Sequence, residues 1–316
     1  MNSALLIEIG QRFQYAQRIL LVSHIRPDGD AVGSLLGLGL SLQAAGKRVQ
    51  MVLSDGVPGN LRHLPGSQLV ATRSEIGYDL VAVLDCSDLK RVGDALSAEI
   101  VPDINIDHHV TNLNFANLNL VDVSAVATAE ILAEALAAWG LPLNQPVAEA
   151  LITGIITDTL GFRTANMTPK ALRVAADLMD FGVDISKLYA LALAQRSFDA
   201  VRFWGVGLQR IQRDNGLVWT TLTTDDRKTV GYGGRDDADL INVLSSIQDA
   251  RIALIFVEQQ NGSVKISWRG QPGVDVSNIA LRFGGGGHPA AAGAEIRGSI
   301  DEVRSKVLQA TKSLLS

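Results

Sequence analysis

The chain has 316 residues, which at roughly 150 residues per domain predicts two domains, each long enough to bury a core. Hydrophobic residues at 47% and charged residues at 19% exclude disordered, collagen-like and coiled-coil chains. With 28 Lys+Arg against 33 Asp+Glu the formal charge is -5, which argues against gripping long duplex nucleic acid through its phosphates. Along the first half, strands and helices alternate. Arg18 to His24 is a short apolar run ending in polar residues, followed by a helical pattern from about Ala31 to Ala45 that stops at Gly46. Further strands are expected at Arg48 to Leu53, Asp79 to Asp85 and Ile104 to Asp107, each nearly continuous in apolar residues as buried parallel strands are. Helices fit Thr128 to Trp139, Pro146 to Thr157 and Thr168 to Phe181, the last with Thr168 as cap and Pro169 at the first helical position. A connecting helix is expected through Leu188 to Ala194, within a linker placed at 186–205. Strands follow at Leu217 to Thr223, Arg251 to Gln259 and Ser263 to Arg269, with Asn261-Gly262 turning a hairpin between the last two. Gly284 to Gly287 reads as a loop. The expected fold is α/β: a parallel-sheet domain with flanking helices over 1–185 and a smaller α+β domain over 206–316, with an active site in the cleft between them.

Cys86, the single cysteine, permits no intramolecular disulfide and no cysteine-based zinc site, which suits a reducing compartment, the cytoplasm by default. Glu8 and Arg12 fall within the first turns, so no signal peptide is expected, and no apolar stretch reaches the roughly 18 to 20 residues of a membrane span.

Four of the five histidines lie in polar clusters at the ends of these elements. His24-Ile-Arg-Pro-Asp28-Gly-Asp30 follows the first strand, Asp85 ends another, Asp107-His108-His109 ends a third, and Asp158 closes an apolar helix. Taken singly, Asp28 and Asp30 read as turn or cap residues, Asp85 as a strand-end carboxylate, and His108-His109 as a loop. Together they place carboxylates close enough to repel and raise one another's pKa, a cost that cations remove. His24, Asp28, Asp30, Asp85, His108 and Asp158 supply two imidazoles and four carboxylates, enough negative charge to balance two divalent ions. This donor set without thiolate suits manganese, with magnesium, cobalt or zinc as substitutes. Two such ions lower the pKa of water and clamp a phosphoryl oxygen, which makes phosphoester hydrolysis the natural reaction.

The order His-x3-Asp-x-Asp, strand-end Asp, Asp-His-His and Thr-Asp-Thr resembles the DHH phosphoesterases. Phe283-Gly-Gly-Gly-Gly-His288-Pro-Ala-Ala-Ala-Gly293 is similar to the glycine-rich signature of the DHH-associated domain, and the overall length resembles the stand-alone oligoribonuclease and pAp phosphatase branch. The resemblance implies that His24 and Asp28 bind one metal, that Asp30, His108 and Asp158 bind the other, and that Asp85 bridges them. It implies that His109 meets the substrate phosphate or leaving group while Asp107 orients the histidines. It also makes Arg269 a nucleotide-phosphate clamp. Leu160 departs from the pattern, since relatives commonly have glycine directly after the threonine.

Read as a loop, Gly284 to Gly287 lets backbone N–H groups approach a phosphate, and His288 can donate to the same group. The positions expected to meet substrate are therefore Arg269, Ser277, Gly286, Gly287 and His288, with Ser277 and Asn278 equally readable as caps of the following helix. His63 reads as a surface loop residue and Cys86 as a small core residue. Trp204, Trp219 and Trp268 read mainly as packing residues, with alternation setting Trp268 opposite Arg269. No Walker A or Gly-x-Gly-x-x-Gly pattern supports a triphosphate or dinucleotide reading.

The expected substrates are short single-stranded oligoribonucleotides, pApA-type dinucleotides and 3'-phosphoadenosine 5'-phosphate (pAp). No membrane or long duplex is expected as a partner, and a homodimer is left open. The rival enzyme readings are a manganese-dependent pyrophosphatase or exopolyphosphatase and a cyclic dinucleotide phosphodiesterase. The rival outside enzymes is a nucleotide-binding regulator.

Overall fold

The computed structural model of the chain describes residues 3–75, 77–97 and 99–315. It divides into two compact units, Met1–Gln195 and Arg196–Ser316. In the first unit the order is α1 (Ser3–Tyr15), β1 (Arg18–Val22), α2 (Gly29–Ala44), β2 (Arg48–Val52), β3 (Val70–Ala71), β4 (Leu80–Leu84), β5 (Ile104–Asp107), β6 (Leu118–Val121), α3 (Thr128–Ala138), α4 (Gln145–Asp158), α5 (Pro169–Met179) and α6 (Ile185–Tyr189).

The strands form one sheet in the order β3-β2-β1-β4-β5-β6, every neighbour pairing being parallel. Alternation along each strand sends its residues to two cores. Ile19, Leu21, Ala82 and Leu84 join the face that buries Leu35 and Leu36 of α2, Leu132 of α3 and Ile155 of α4. Leu20, Val22, Val81 and Val83 join the other face with Cys86, Val92 and Ala95. Burial on both faces explains why these strands read as continuous apolar runs rather than alternating ones. The chain departs from β1 in one direction to β2 and β3, then returns to β4 on the far side. In open sheets, ligands sit beyond the carboxyl ends of the strands at such a reversal.

Helices α2 and α4 approach unusually closely because α2 presents Gly29, Gly33 and Gly37 along one stripe. A Cβ at Gly33 would lie 2.5 Å from the Ala150 carbonyl oxygen and 2.8 Å from the Gly154 nitrogen. Gly154 reciprocates from α4, since a Cβ there would meet Asp30 Oδ1 at 2.8 Å. The small residues thus bring the carboxyl end of α4 beside the start of α2.

The second unit comprises α7 (Phe198–Gln209), β7 (Gln212–Asp214), β8 (Leu217–Leu222), α8 (Thr224–Val230), α9 (Leu240–Leu244), β9 (Ile252–Glu258), β10 (Ser263–Gly270), α10 (Ser277–Arg282), β11 (Gly286–His288), β12 (Ala291–Arg297) and α11 (Ile300–Lys312). Its sheet runs β11-β12-β10-β9-β8-β7 and is mixed, with β8 and β9 parallel and the other neighbours antiparallel. Trp268, Leu254 and Phe256 face Val303 and Val307 of α11, whereas Ala253, Ile255 and Val257 face Phe203 of α7 and Leu240 of α9.

Two local expectations change. The stretch from Leu188 to Ala194 is not one helix: α6 ends at Tyr189, a π turn covers Ala190–Ala194, and extended backbone at Gln195 precedes α7. Gly284 to Gly287 is not wholly a loop either, because Gly286–His288 pairs with Ala291–Gly293 as an edge strand. Glycine is what permits that pairing: a Cβ at Gly287 would lie 2.4 Å from the Ala291 carbonyl oxygen, and one at Gly285 would lie 2.0 Å from that of Gly293.

Candidate active site

The loops after β1, β4 and β5 converge at the sheet reversal, joined by the first turn of α2 and the last of α4. Asp28 caps α2, its Oδ1 accepting from the nitrogens of Asp30 (3.1 Å) and Ala31 (3.0 Å). The bland reading of Asp28 as a cap is therefore correct, and it leaves Oδ2 for other work. Asp30, one residue into the helix, is buried and accepts from Thr128 N (2.6 Å), Ala129 N (2.9 Å) and Ser34 Oγ (3.2 Å). It thereby serves the free amides that open α3.

Asp85 stands at the centre, buried and with a φ of 51°. A non-glycine residue in the left-handed region is a strained position that surrounding structure must hold. Here Asp85 N donates to the Ile106 carbonyl (2.9 Å), and its Oδ1 accepts from Thr128 Oγ1 (3.0 Å). The two carboxylate oxygens point in different directions. Oδ2 lies 3.6 Å from His24 Nε2, and Oδ1 lies 3.7 Å from His108 Nε2. Around His24, Asp28 Oδ2 is 3.8 Å from Nε2; around His108, Asp30 Oδ2 is at 3.9 Å and Asp158 Oδ2 at 3.7 Å. His24 Nδ1 donates to the Ile25 carbonyl at 2.8 Å, which turns Nε2 toward the carboxylates.

Asp107 differs from the other carboxylates in what it engages, the loop that carries the two histidines. Oδ1 accepts from His108 N (2.9 Å) and His109 Nδ1 (2.7 Å), and Oδ2 from Asn112 Nδ2 (2.5 Å). His109 Nδ1 also lies 3.7 Å from Asp85 Oδ1.

The electrostatics follow from this crowding. Burial and the charges of Asp85, Asp158 and Asp28 push the Asp30 carboxyl well above its ordinary range. Burial with Asp28 and Asp85 does the same to Asp158. Burial would raise Asp85 too, but its contact with His24 and the charges of His109, His24 and His108 hold it below the usual carboxylate range. His24 is raised, the contact with Asp85 and the charges of Asp28 and Asp85 overcoming the effect of burial. In His109 burial is likewise outweighed, by Asp107 and then Asp85, and the imidazole is pushed up to about 9. A pocket that disfavours the charged form of two of its own acids is one that divalent cations relieve.

Donor geometry fits that inference. His24, Asp28 and Asp85 each offer a ligand atom within 4.8 Å of the others, and so do Asp30, Asp85 and His108. Asp158 flanks the second set. A third grouping, Asp85 with Asp107 and His109, also lies within 4.8 Å; in it Asp107 accepts from the His109 ring itself, which suits an orienting part. All six residues expected to hold metal thus stand together, and the donors are oxygen and imidazole nitrogen only.

Within the second unit, Arg269 and His288 both pair with Ala291 across β10-β12-β11, so they share a sheet face with one alanine between them. Gly286, Gly293 and Ser267 form the next row on that face, and a Cβ at Gly286 would meet nothing within 4 Å. Gly287 is required by strand pairing, not by an open approach. Ser277 opens α10 but does not cap it: Val276 is at the cap position, and Asp275 Oδ1 accepts from Ser277 N (2.9 Å) and Ser277 Oγ (2.6 Å). Trp268 is buried with its indole N–H donating to Thr311 Oγ1 (3.1 Å), a packing role. His63 Nδ1 donates to the Asn60 carbonyl (2.8 Å), and Cys86 is buried with its thiol pushed up to about 12, chiefly by desolvation.

Three residues were missed. Thr128 bonds the central Asp85, Asn112 bonds Asp107, and Asn105 bonds Asn112. Asn105 carried a signal in its position, since an amide in a continuous apolar strand needs buried partners. In the sequence Thr128 reads only as the start of a helix.

Leu160, the departure from the family pattern, has a φ of 49°, followed by Gly161 at 74° and Phe162 at 66°. The chain after Asp158 therefore keeps the left-handed turn that glycine would adopt without strain.

Residues 18–155 match the DHH family, N-terminal domain, and residues 227–316 match the DHHA1 domain. A "Bifunctional oligoribonuclease and PAP phosphatase NrnA" from Thermus thermophilus is 35% identical over 303 residues, 94% of this chain and 90% of that protein. One of the same name from Bacillus subtilis is 28% identical over 287 residues, covering 88% and 89%. An exopolyphosphatase-related protein from Bacteroides fragilis shares the fold with a TM-score of 0.88 at 24% identity, covering 99% of this chain and 97% of that one. Fold and site define a metal-dependent phosphoesterase of the two-unit kind. The chain belongs to the DHH family, with a DHHA1 domain at its carboxyl end.

Proposed function

We propose that this enzyme hydrolyses short oligoribonucleotides to mononucleotides and pAp to AMP, using two divalent cations, in the cytoplasm. The observation that carries the reading is Asp85, one carboxylate with an oxygen turned to each of two imidazole–carboxylate sets. His24 and Asp28 would hold one cation, Asp30, His108 and Asp158 the other, and Asp85 would join them. Mixed imidazole and carboxylate donors favour manganese, with magnesium or cobalt as substitutes. Bound there, the cations supply Lewis-acid stabilisation of a phosphoryl group and a lowered pKa for water. Around them, Asp107 holds the His109 ring so that it meets the substrate phosphate or leaving oxygen. In the second unit, Arg269 and His288 over the floor of Gly286, Ser267 and Ala291 suit the phosphate of a terminal nucleotide. The activity named for both curated relatives supports the substrate class, and among the described residues no helix is long and apolar enough to cross a membrane.

The test is product release from 5'-phosphorylated RNAs of two to five nucleotides, pAp and inorganic pyrophosphate, with manganese and with a chelator. Manganese-dependent release of mononucleotides from the short RNAs and of AMP from pAp is expected, with none under chelation. Turnover of pyrophosphate alone would overturn the reading in favour of a pyrophosphatase. Nucleotide binding without metal-dependent turnover would indicate a regulator.

A further inference from the structure

Behind His109 lies a pair of amides, buried Asn105 and half-buried Asn112, that reaches no carboxylate assigned to metal. We infer that Asn112, seated by Asn105, is a positioning residue that fixes Asp107 and, through it, the ring of His109. This rests on the reading of His109 as a residue that meets substrate.

Asp107 is fully buried, so its second oxygen would be left without a partner if Asn112 were absent. Asn112 Nδ2 donates to Asp107 Oδ2 at 2.5 Å and to Asn105 Oδ1 at 2.8 Å. The same nitrogen reaches the Cys86 carbonyl at 3.3 Å, so three acceptors share its two hydrogens. Asn112 Oδ1 accepts from Asn114 N at 2.7 Å, so the amide cannot turn over without losing these bonds. Asn105, also fully buried, has its own direction set by the carbonyls of Val83 and Cys86, each 3.2 Å from Nδ2. The loop bearing Asn112 is tied to the strand-end loop of Asp85 by Leu113 N donating to the Ser87 carbonyl at 2.9 Å. The relay Asn105–Asn112–Asp107–His109 thus spans β4, β5 and the loop between β5 and β6, and sets the imidazole against a frame of backbone carbonyls. An aspartate at 112 would keep the shape but set a second acceptor against Asp107.

A double-mutant cycle with the manganese-loaded enzyme and pApA tests the inference. Asn112→Ala is expected to lower kcat about 10- to 100-fold, the usual loss for an outer orienting partner, with KM little changed. His109→Ala is expected to lower kcat by about 10^2-fold or more. In the His109→Ala background, Asn112→Ala should then add nothing, because its effect passes through the missing ring. Calorimetric titration of the metal-free variants with manganese should give the affinity of the parent, which general damage to the site would not leave intact. If the alanine variant does not fold, Asn112→Asp carries the same test with the same expected kcat loss. Multiplying losses in the double variant, or manganese affinity falling together with kcat, would overturn the positioning role. So would full activity of Asn112→Ala beside an impaired His109→Ala. Full activity of His109→Ala would instead remove the reading of His109 and this inference with it.

Discussion

Gly33→Ala probes how the site is assembled. The new methyl would stand 2.5 Å from the Ala150 carbonyl oxygen, 2.8 Å from the Gly154 nitrogen and 3.0 Å from its Cα, all backbone atoms of α4. No side-chain rotation relieves these contacts, so α4 must retreat from α2 by roughly 1 Å to reach ordinary van der Waals distance. Overpacking of this kind costs about 1–3 kcal/mol, against about 1 kcal/mol gained in helix propensity. The net expectation is a loss of up to about 2 kcal/mol in urea unfolding of the metal-free protein. Because α2 carries Asp30 and α4 carries Asp158, 3.9 and 3.7 Å from the same His108 nitrogen, the retreat also opens one metal set. Manganese affinity there should fall by about tenfold or more, while the His24–Asp28 set is spared. Gly205→Ala in α7 is the control, since its Cβ would meet nothing within 4 Å; it should stabilise by about 0.5–1 kcal/mol. Were Gly33→Ala to stabilise as the control does, close helix approach would not be what sets Asp30 against Asp158.

Other outcomes are equally specific. Asp85→Asn should fold yet lose about a thousandfold in kcat, several kcal/mol of transition-state stabilisation; near-parental kcat in a folded variant would remove Asp85 from the centre of the chemistry. Arg269→Ala should raise KM for nucleotide substrates with kcat little changed, and an unchanged KM would refute its clamping of phosphate. Asp30 and Asp158 are held above their ordinary range, so folding takes up protons and the metal-free protein should lose stability as pH rises from that range through the raised values. His109, raised to about 9, extends the loss toward that pH, whereas stability from the depressed Asp85 fades only on acidification through its folded value. The Tm difference between manganese-loaded and chelated protein should therefore widen from mildly acid to neutral pH, and a constant difference would contradict the raised acids. Leu160→Gly should stabilise by up to about 1 kcal/mol, because release of left-handed strain exceeds the entropy cost of glycine; destabilisation in urea would show that the leucine side chain matters more than its backbone.

Strands β1, β2, β4 and β5 were legible because burial on both faces writes them as apolar runs. The residues proposed to hold metal stand out in the sequence because polar chemistry accumulates at the ends of those runs, with His24, Asp85 and Asp107 each closing one. β11 and β12 were not, since Gly286–His288 and Ala291–Arg297 are rich in glycine and alanine and carry little strand signal. Helix α11 was passed over although Ser299 and Glu302 form a capping box, because its exposed polar face masks the apolar period. Thr128 escaped because its work depends on a partner far away in the chain: it reaches Asp85 over 43 positions. Spacing cannot report such a bond.

The sheet of the second unit closes on both sides with a short strand, β7 at one edge and β11 at the other, three residues each. An edge that short offers a passing chain only a brief ladder of unpaired amides, and one of these edges is part glycine, a poor strand former. A substrate seat along such an edge, as proposed for Arg269 and His288, would expose backbone for recognition without inviting strand-on-strand aggregation.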